Sequence, residues 1–149
     1  MKIATMDDIE EINSIFKMYK SVFPYMRQDY LKRMIVKGGV ILEDGVVIIF
    51  LRYKRAQPIG DFVAQKGDVI CYQLASKDPN KALEVFKSFL FEMGSPVWGN
   101  IKEDNIGSRI FHKRAGFVEM GPISWKNDTL KGLIYKYTPN LIHNLWRLK

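Results

Sequence analysis

Ser108 and His112 bring a hydroxyl and an imidazole together in the sequence Asn-Ile-Gly-Ser-Arg-Ile-Phe-His-Lys-Arg-Ala-Gly-Phe, which runs from 105 to 117. Residues four apart share one face of an α-helix, so a helix here would place the two groups side by side. Histidine can donate a proton near neutral pH. The segment therefore predicts a helix that carries a proton-transfer group beside its own positive N-terminal end.

Both ends of this helix are marked by residues that favour helix termini. Asn105 is a good N-cap, because its side-chain oxygen can accept from an otherwise unpaired backbone N–H. Gly116 stands where a helix ends in a left-handed residue, and Phe117 opens the next apolar segment. The buried side is expected to be apolar and to consist of Ile110, Phe111 and Ala115.

The whole segment resembles the fourth-helix motif of the GNAT superfamily of acyl-CoA N-acyltransferases. That motif reads Asn-x-x-(Ala/Ser)-x-x-(Leu/Phe)-(Tyr/His)-x-x-x-Gly-Phe. The chain fills it, at the right spacings, with Asn105, Ser108, Phe111, His112, Gly116 and Phe117. The resemblance implies transfer of acetyl from acetyl-CoA directly to a primary amine of a small molecule, a peptide N-terminus or a lysine.

The resemblance also assigns roles within the helix. Asn105 and Ser108 are implied to contact the cofactor, and His112 holds the position of a tyrosine that protonates the departing CoA thiolate. Each residue has a local alternative. Asn105 can be a cap alone, Ser108 a small residue that lets the helix approach, and His112 a surface or packing histidine.

The family's pyrophosphate signature, (Gln/Arg)-x-x-Gly-x-(Gly/Ala), corresponds here to Lys77-Asp-Pro-Asn-Lys-Ala82. The physics of such a turn needs backbone N–H groups that face the phosphates at a helix N-terminus. Lys77 stands at the first position, Asn80 replaces the central glycine, and Ala82 holds the sixth. Lys77 and Lys81 can pair with phosphate directly.

Two residues of this turn depart from the signature. Pro79 removes one N–H donor, and Asp78 adds a negative charge close to the expected phosphates. Asn80 is among the better residues for a positive φ, so the turn itself can survive. The alternative is an ordinary helix start, with Asp78 as N-cap and Pro79 in the first helical position.

Further site residues follow from the resemblance. Backbone groups of Leu74, Ala75 and Ser76 are implied to bind the pantetheine arm and thioester oxygen, where the fourth strand parts from the fifth. Trp98 and Asn100, on the fifth strand, are candidates to line the acceptor pocket, and a core role for Trp98 competes with this. A general base is not identified among the candidate carboxylates Glu43, Asp61, Asp68 and Glu103.

Hydrophobic periodicity predicts the elements that hold these residues. We expect helices over 7–19, 27–37 and 79–93, and strands over 2–5, 68–76, 96–101, 117–126 and 130–138. A hairpin turns at Asp44-Gly45, 57–66 is a loop, and the tail beyond Pro139 is a docking helix or oligomer contact. The order β-α-α-β-β-β-α-β-α-β-β predicts an α/β (α+β) fold with a mixed, mostly antiparallel sheet of six to seven strands and about four helices. This is the order that the GNAT fold implies, in a single domain over 1–149.

Composition limits the remaining possibilities. The chain has 149 residues, one cysteine, two histidines and a net charge of +7. A lone Cys71 excludes an internal disulfide, and a zinc site is not expected. No apolar run is long enough to cross a bilayer and no signal-peptide pattern opens the chain, so a cytoplasmic location is expected.

The positive charge attracts polyanions, and coenzyme A satisfies that as well as nucleic acid does. Nucleic acid is the less favoured partner, because the basic residues are scattered and match no recognised motif. The alternative function is a GNAT-like module without catalysis that binds a protein or nucleic acid through its basic surface. A homodimer, or a partner subunit, built on Trp146 and the other apolar tail residues also stays open.

Overall fold

The computed structural model describes residues 1–19, 26–125 and 130–139. These residues form two compact units. The first unit takes 1–51 and 71–88, and the second takes 52–70 and the described residues from 89 onwards. The single domain expected from the sequence stays a prediction.

Four α-helices and eight strands are assigned within the described residues. The helices are α1 Ile9–Lys17, α2 Gln28–Val36, α3 Pro79–Met93 and α4 Ile106–Arg114. The strands are β1 Val40–Glu43, β2 Val46–Arg52, β3 Gln57–Ile59, β4 Phe62–Ala64, β5 Val69–Ser76, β6 Val97–Lys102, β7 Val118–Trp125 and β8 Leu130–Tyr137. A short 3-10 turn, Met6–Asp8, precedes α1.

The first unit packs α1 and α2 against one face of its strands, which lie in the order β1-β2-β5. Strands β1 and β2 pair antiparallel, and their turn has positive φ at Asp44 (49°) and Gly45 (74°). That geometry confirms the predicted Asp-Gly hairpin. The core of the unit is mainly aliphatic and includes Ile12, Ile15, Phe16, Leu31, Met34, Val47, Ile49 and Ala75.

The second unit is built on three antiparallel strands in the order β6-β8-β7. Strand β8 is central, and the register of β7 shifts between Glu119 and Gly121. A two-stranded hairpin, β3–β4, packs on these strands. A side chain added at Gly60 would come within 2.7 Å of Ile134, and one added at Gly121 within 3.4 Å of Phe62.

Helix α3 confirms the amphipathic pattern predicted from the sequence. It runs over the predicted bounds, Pro79–Met93. The expected apolar face is buried along the whole helix and consists of Ala82, Val85, Phe86, Phe89, Leu90 and Met93.

Two predicted elements are wrong. Residues 57–66 form the β3–β4 hairpin and not a loop, with Gly60 at a φ of 55° in the turn. Pro58 is tolerated because a two-stranded sheet consists only of edges. The first strand expected at 2–5 is reduced to one isolated bridge, Ile3 to Ile41.

The fold class predicted from the sequence is confirmed: an α/β (α+β) fold with mostly antiparallel strands and, among the described residues, four helices. Features inferred around Pro24, at Asn127-Asp128 and in the tail with His143 and Trp146 lie outside the described residues. Within 1–19, 26–125 and 130–139, no helix has the length and apolar character needed to cross a membrane. Over the same ranges, no cluster of three or more His, Cys, Asp or Glu side chains is arranged to hold a metal ion.

Candidate active site

Helix α4 begins and ends as its sequence predicts. The side-chain oxygen of Asn105 accepts a hydrogen bond from the backbone N–H of Ser108 at 3.1 Å, so Asn105 is the N-cap. Gly116 follows the helix with a φ of 101°. These two residues fix where the helix starts and stops, and thereby where His112 stands along it.

His112 is held by the backbone of its own helix. Its Nδ1 lies 2.8 Å from the carbonyl oxygen of Ser108, and 3.4 Å from the Ser108 hydroxyl. Because a carbonyl can only accept, Nδ1 carries the proton in this contact. The neutral imidazole therefore has its lone pair on Nε2.

The imidazole ring is enclosed by aromatic side chains and a glycine. Its centroid lies 5.0 Å from that of Phe117, edge to face, and 6.1 Å from that of Tyr135. A Cβ added at Gly99 on β6 would lie 3.8 Å from Nε2. Burial lowers the pKa of His112, and the hydrogen bond to Ser108 opposes this only in part. His112 is therefore mostly neutral at pH 7.

The buried face of α4 differs from the predicted one. Ile110 is 53% exposed, whereas His112 is 9% exposed. Ala115 is buried as predicted. The helix turns His112 and Ala115 inward, and the imidazole packs beside Gly99 on β6. His112 is therefore packed inside, as the packing interpretation predicts. A packed histidine still carries a proton-transfer group, so the functional interpretation also stays open.

A polar network that sequence reasoning missed ties α4 to the strands beneath it. The Tyr135 hydroxyl donates to Glu119 at 2.8 Å, and Arg109 forms an ion pair with Glu119 at 3.3 Å. Arg109 also donates to the Tyr135 oxygen at 3.3 Å. These contacts orient the helix, and the hydrogen bond from Tyr135 is the first cause of the lowered pKa of Glu119.

Trp98 and Asn100 both lie on β6, but Trp98 is buried and Asn100 is exposed. Trp98 is 2% exposed, and its indole N–H donates to the buried carboxylate of Asp68 at 3.0 Å. Asp68 also accepts from the backbone N–H of Gln65 at 2.9 Å. Burial of this kind is what the core alternative predicts for Trp98. Asn100 is exposed, and its assignment to the acceptor pocket stays a prediction.

The end of β5 is held inside the first unit by hydrogen bonds. Ala75 and Ser76 are buried, and Leu74 is half-buried. The hydroxyl of Tyr19 donates to the Ser76 carbonyl. The Lys77 N–H donates to the carbonyl of Gly45 at 2.8 Å, so the β1–β2 turn supports the start of the predicted phosphate turn.

Asp78 caps the first turn of α3. Its carboxylate accepts the Asn80 N–H at 3.0 Å, and its carbonyl accepts the Lys81 N–H at 3.0 Å. Pro79 has no N–H to offer. The capped helix start considered in the sequence analysis is therefore present.

This cap also tests whether the turn fits a phosphate. The Asp78 carboxylate is an anion already bound to a backbone N–H of a helix start, the kind of donor that a phosphate oxygen uses. Lys77, Asp78, Asn80 and Lys81 are all exposed, so the carboxylate can turn outward into solvent. A phosphate at this turn requires the Asp78 carboxylate to release the Asn80 N–H, and phosphate binding here stays a prediction.

Two of the four carboxylates considered as general bases have partners of their own. Asp68 is engaged by Trp98 and Gln65, and Glu43 lies 3.7 Å from the N-terminal amine. Asp61 and Glu103 are exposed. A general base stays unassigned.

The fold of the chain is that of the GNAT-family acetyltransferases. A GNAT-family acetyltransferase from Streptococcus agalactiae superposes with a TM-score of 0.68 at 12% identity, over 93% of this chain and 94% of that one. Ribosomal-protein-alanine N-acetyltransferase from Brucella melitensis gives 0.67 at 13% identity, over 93% and 98%. Arabidopsis thaliana NAA60 in complex with acetyl-CoA gives 0.63 at 10% identity, over 93% and 98%. No protein-family model matches the sequence. No curated protein matches it either.

Proposed function

We propose that the protein is an N-acetyltransferase that transfers acetyl from acetyl-CoA directly to a primary amine. The observation that supports this proposal is the shared fold, which extends over 93% of the chain. One protein of similar fold has a solved structure with acetyl-CoA bound. The fourth-helix motif supports the proposal from the sequence, and two of its residues, Asn105 and Gly116, flank α4.

The cofactor-binding role belongs to the end of β5 and the first turn of α3. The backbone of Leu74, Ala75 and Ser76 is proposed to bind the pantetheine arm. Lys77 and Lys81 are exposed and supply positive charge for the phosphates. The Asn80 N–H binds a phosphate oxygen once the Asp78 carboxylate turns away, and the small Ala82 leaves the helix start unobstructed.

Two further cofactor contacts are proposed on α4. Asn105 and Ser108 stand at the start of α4, where the helix dipole favours a negative group. The side-chain oxygen of Asn105 is already used as the cap, so its amide NH₂ is the part that is proposed to reach the cofactor. The bound acetyl-CoA supplies an acetyl group activated as a thioester.

His112 is proposed to return a proton to the leaving thiolate. Because burial lowers its pKa, the resting imidazole is neutral and must first take up the proton that the acceptor amine loses as the amide forms. The resulting imidazolium is a stronger acid than an ordinary one, so it gives up its proton readily. Nδ1 keeps its proton for Ser108 throughout, and Nε2 is the atom that exchanges.

The acceptor is proposed to be a primary amine, with Asn100 and Trp98 as candidate pocket residues. Two neighbours support a peptide acceptor: the ribosomal-protein-alanine N-acetyltransferase, and the NatC complex bound to Gag peptide and CoA. A small-molecule amine fits the same chemistry. A panel that holds both kinds of amine, with a free-thiol readout, identifies the class.

One observation favours a different function, a binding module without catalysis. The Asp78 carboxylate occupies a donor that the phosphates would use. In that case the net charge of +7 would serve a protein or nucleic-acid partner.

A thermal-shift experiment separates the two functions. A ligand specific to the native state raises the melting temperature, so saturating acetyl-CoA is expected to raise it. Acetate at the same ionic strength is the control. An unchanged melting temperature at saturating acetyl-CoA contradicts the proposed acetyltransferase and favours the binding module.

A further inference from the structure

Gln73 carries a buried amide oxygen without a partner. It lies on β5, between the half-exposed Tyr72 and the half-buried Leu74. Its Oε1 is shielded from solvent, yet it accepts no hydrogen bond from any residue in 1–19, 26–125 or 130–139. A buried acceptor of this kind destabilises the folded protein relative to an apolar side chain of the same shape.

The neighbours of Gln73 on its strand face are apolar, so an apolar side chain would be more stable there than an amide. Side chains alternate along a strand, so Gln73 shares its face with Cys71 and Ala75. Both neighbours are buried, and Ala75 belongs to the aliphatic core with α1 and α2. The pKa of Cys71 is raised to about 12 by burial, so the thiol stays uncharged. A leucine or methionine would suit this face better than a glutamine.

We propose that Gln73 is a reactant-binding residue whose Oε1 accepts a hydrogen bond from an N–H group of a bound reactant. This inference rests on the proposed acetyl transfer, in which two reactants carry such groups: the acceptor amine and the amides of the coenzyme A arm. The chemistry is the same in both cases. The cost of the unpaired oxygen in the free protein is recovered when the N–H arrives.

An amide oxygen suits an amine that must react as a nucleophile. It accepts an N–H without adding negative charge, whereas a carboxylate would favour the ammonium form. Gln73 would therefore position the amine and leave its proton transfer to other groups. Its role is binding, and no bond forms or breaks on its side chain.

The test compares Gln73→Leu with Gln65→Leu, the same change at an exposed glutamine. Gln73→Leu is expected to keep or raise the melting temperature while raising one KM about tenfold at similar kcat. A rise in the KM of the amine shows that the amine substrate donates the hydrogen bond to Gln73. A rise in the KM of acetyl-CoA shows that an amide of the coenzyme A arm donates it. Gln73→Glu, which keeps an oxygen acceptor, is expected to recover part of the loss, and Gln65→Leu to change nothing.

A lower melting temperature with both KM values unchanged in Gln73→Leu overturns the inference, because it indicates a structural role alone. Failure of the proposed function is seen separately, as an absence of thiol release by the unaltered protein with every amine. In that event the melting-temperature shifts produced by coenzyme A and by the amines still decide: a smaller shift with either ligand in Gln73→Leu than in Gln65→Leu supports the binding role, and equal shifts with both overturn it.

Discussion

His112 donates its Nδ1 proton to the carbonyl oxygen of Ser108, one helical turn earlier, across 2.8 Å. The partner is a backbone atom, so the orientation of the ring does not depend on the identity of the side chain at 108. The contact fixes the tautomer and directs the lone pair of Nε2 away from its own helix turn. Gly99 lies on that side, and its missing side chain leaves space beside Nε2.

Replacement of His112 tests its role in proton transfer. His112→Gln is expected to lower kcat about 10- to 100-fold, towards the lower end for acid–base catalysis, because thiolate is already a fair leaving group. The affinity for acetyl-CoA should stay nearly constant. Steady-state kinetics and a cofactor titration measure the two effects. Arg114→Gln, at an exposed position of the same helix, is the matched control. Full activity of His112→Gln would remove the acid role.

Burial of His112 also predicts how stability depends on pH. Its pKa is lowered in the folded protein, so the unfolded chain binds the extra proton more readily. The stabilisation is complete above the unfolded value of about 6.5 and is lost as pH falls towards the lower folded value. Melting temperatures between pH 8 and about 5 should therefore fall more steeply for the unaltered protein than for His112→Gln. Parallel curves would show that His112 does not titrate in this way.

Asp78 is expected to weaken cofactor binding by competing for the Asn80 N–H. Asp78→Asn keeps an N-cap and removes the negative charge, so it should raise the affinity for coenzyme A about fivefold at a stability cost of at most about 1 kcal/mol. Isothermal titration measures the affinity. Asn80→Asp adds a charge at the same turn and should act in the opposite direction. Unaltered affinity in both variants would place the phosphates away from this turn.

The Trp98–Asp68 hydrogen bond is expected to stabilise the second unit. Trp98→Phe leaves the buried carboxylate with the Gln65 N–H alone among the contacts described here, and it should cost about 1–3 kcal/mol of unfolding free energy. Chemical denaturation measures this cost. A double-mutant cycle with Asp68→Leu isolates the pair, and a coupling energy near zero would mean that the bond contributes nothing.

Local features of the sequence predicted most of the elements. Helix α3 has the predicted bounds because its capping aspartate, first-turn proline and apolar face all agree. The Asp44-Gly45 hairpin follows from turn chemistry in the same way. Residues 57–66 were not predictable as a hairpin, because Pro58 and Gly60 favour a loop. The hairpin packs on Gly121 and Ile134, which are far away in the sequence.

The site was predictable where a motif specified it and not where distant residues meet. Asn105 and Gly116 act as expected, since capping is local. His112 packs against Phe117 and Tyr135, which lie outside α4, and no periodicity within the helix reveals its inward position. The unpaired oxygen of Gln73 had no sequence signal at all, because the absence of a partner appears only after folding.

Mass spectrometry of amine products tests the central claim most directly. The unaltered protein is incubated with acetyl-CoA and a mixture of small amines and peptides with free N-termini. We expect at least one acetylated amine, with one free coenzyme A thiol released for each acetyl group transferred. Samples without enzyme, or with His112→Gln, should show far less. No acetylated amine above the enzyme-free background would contradict the account.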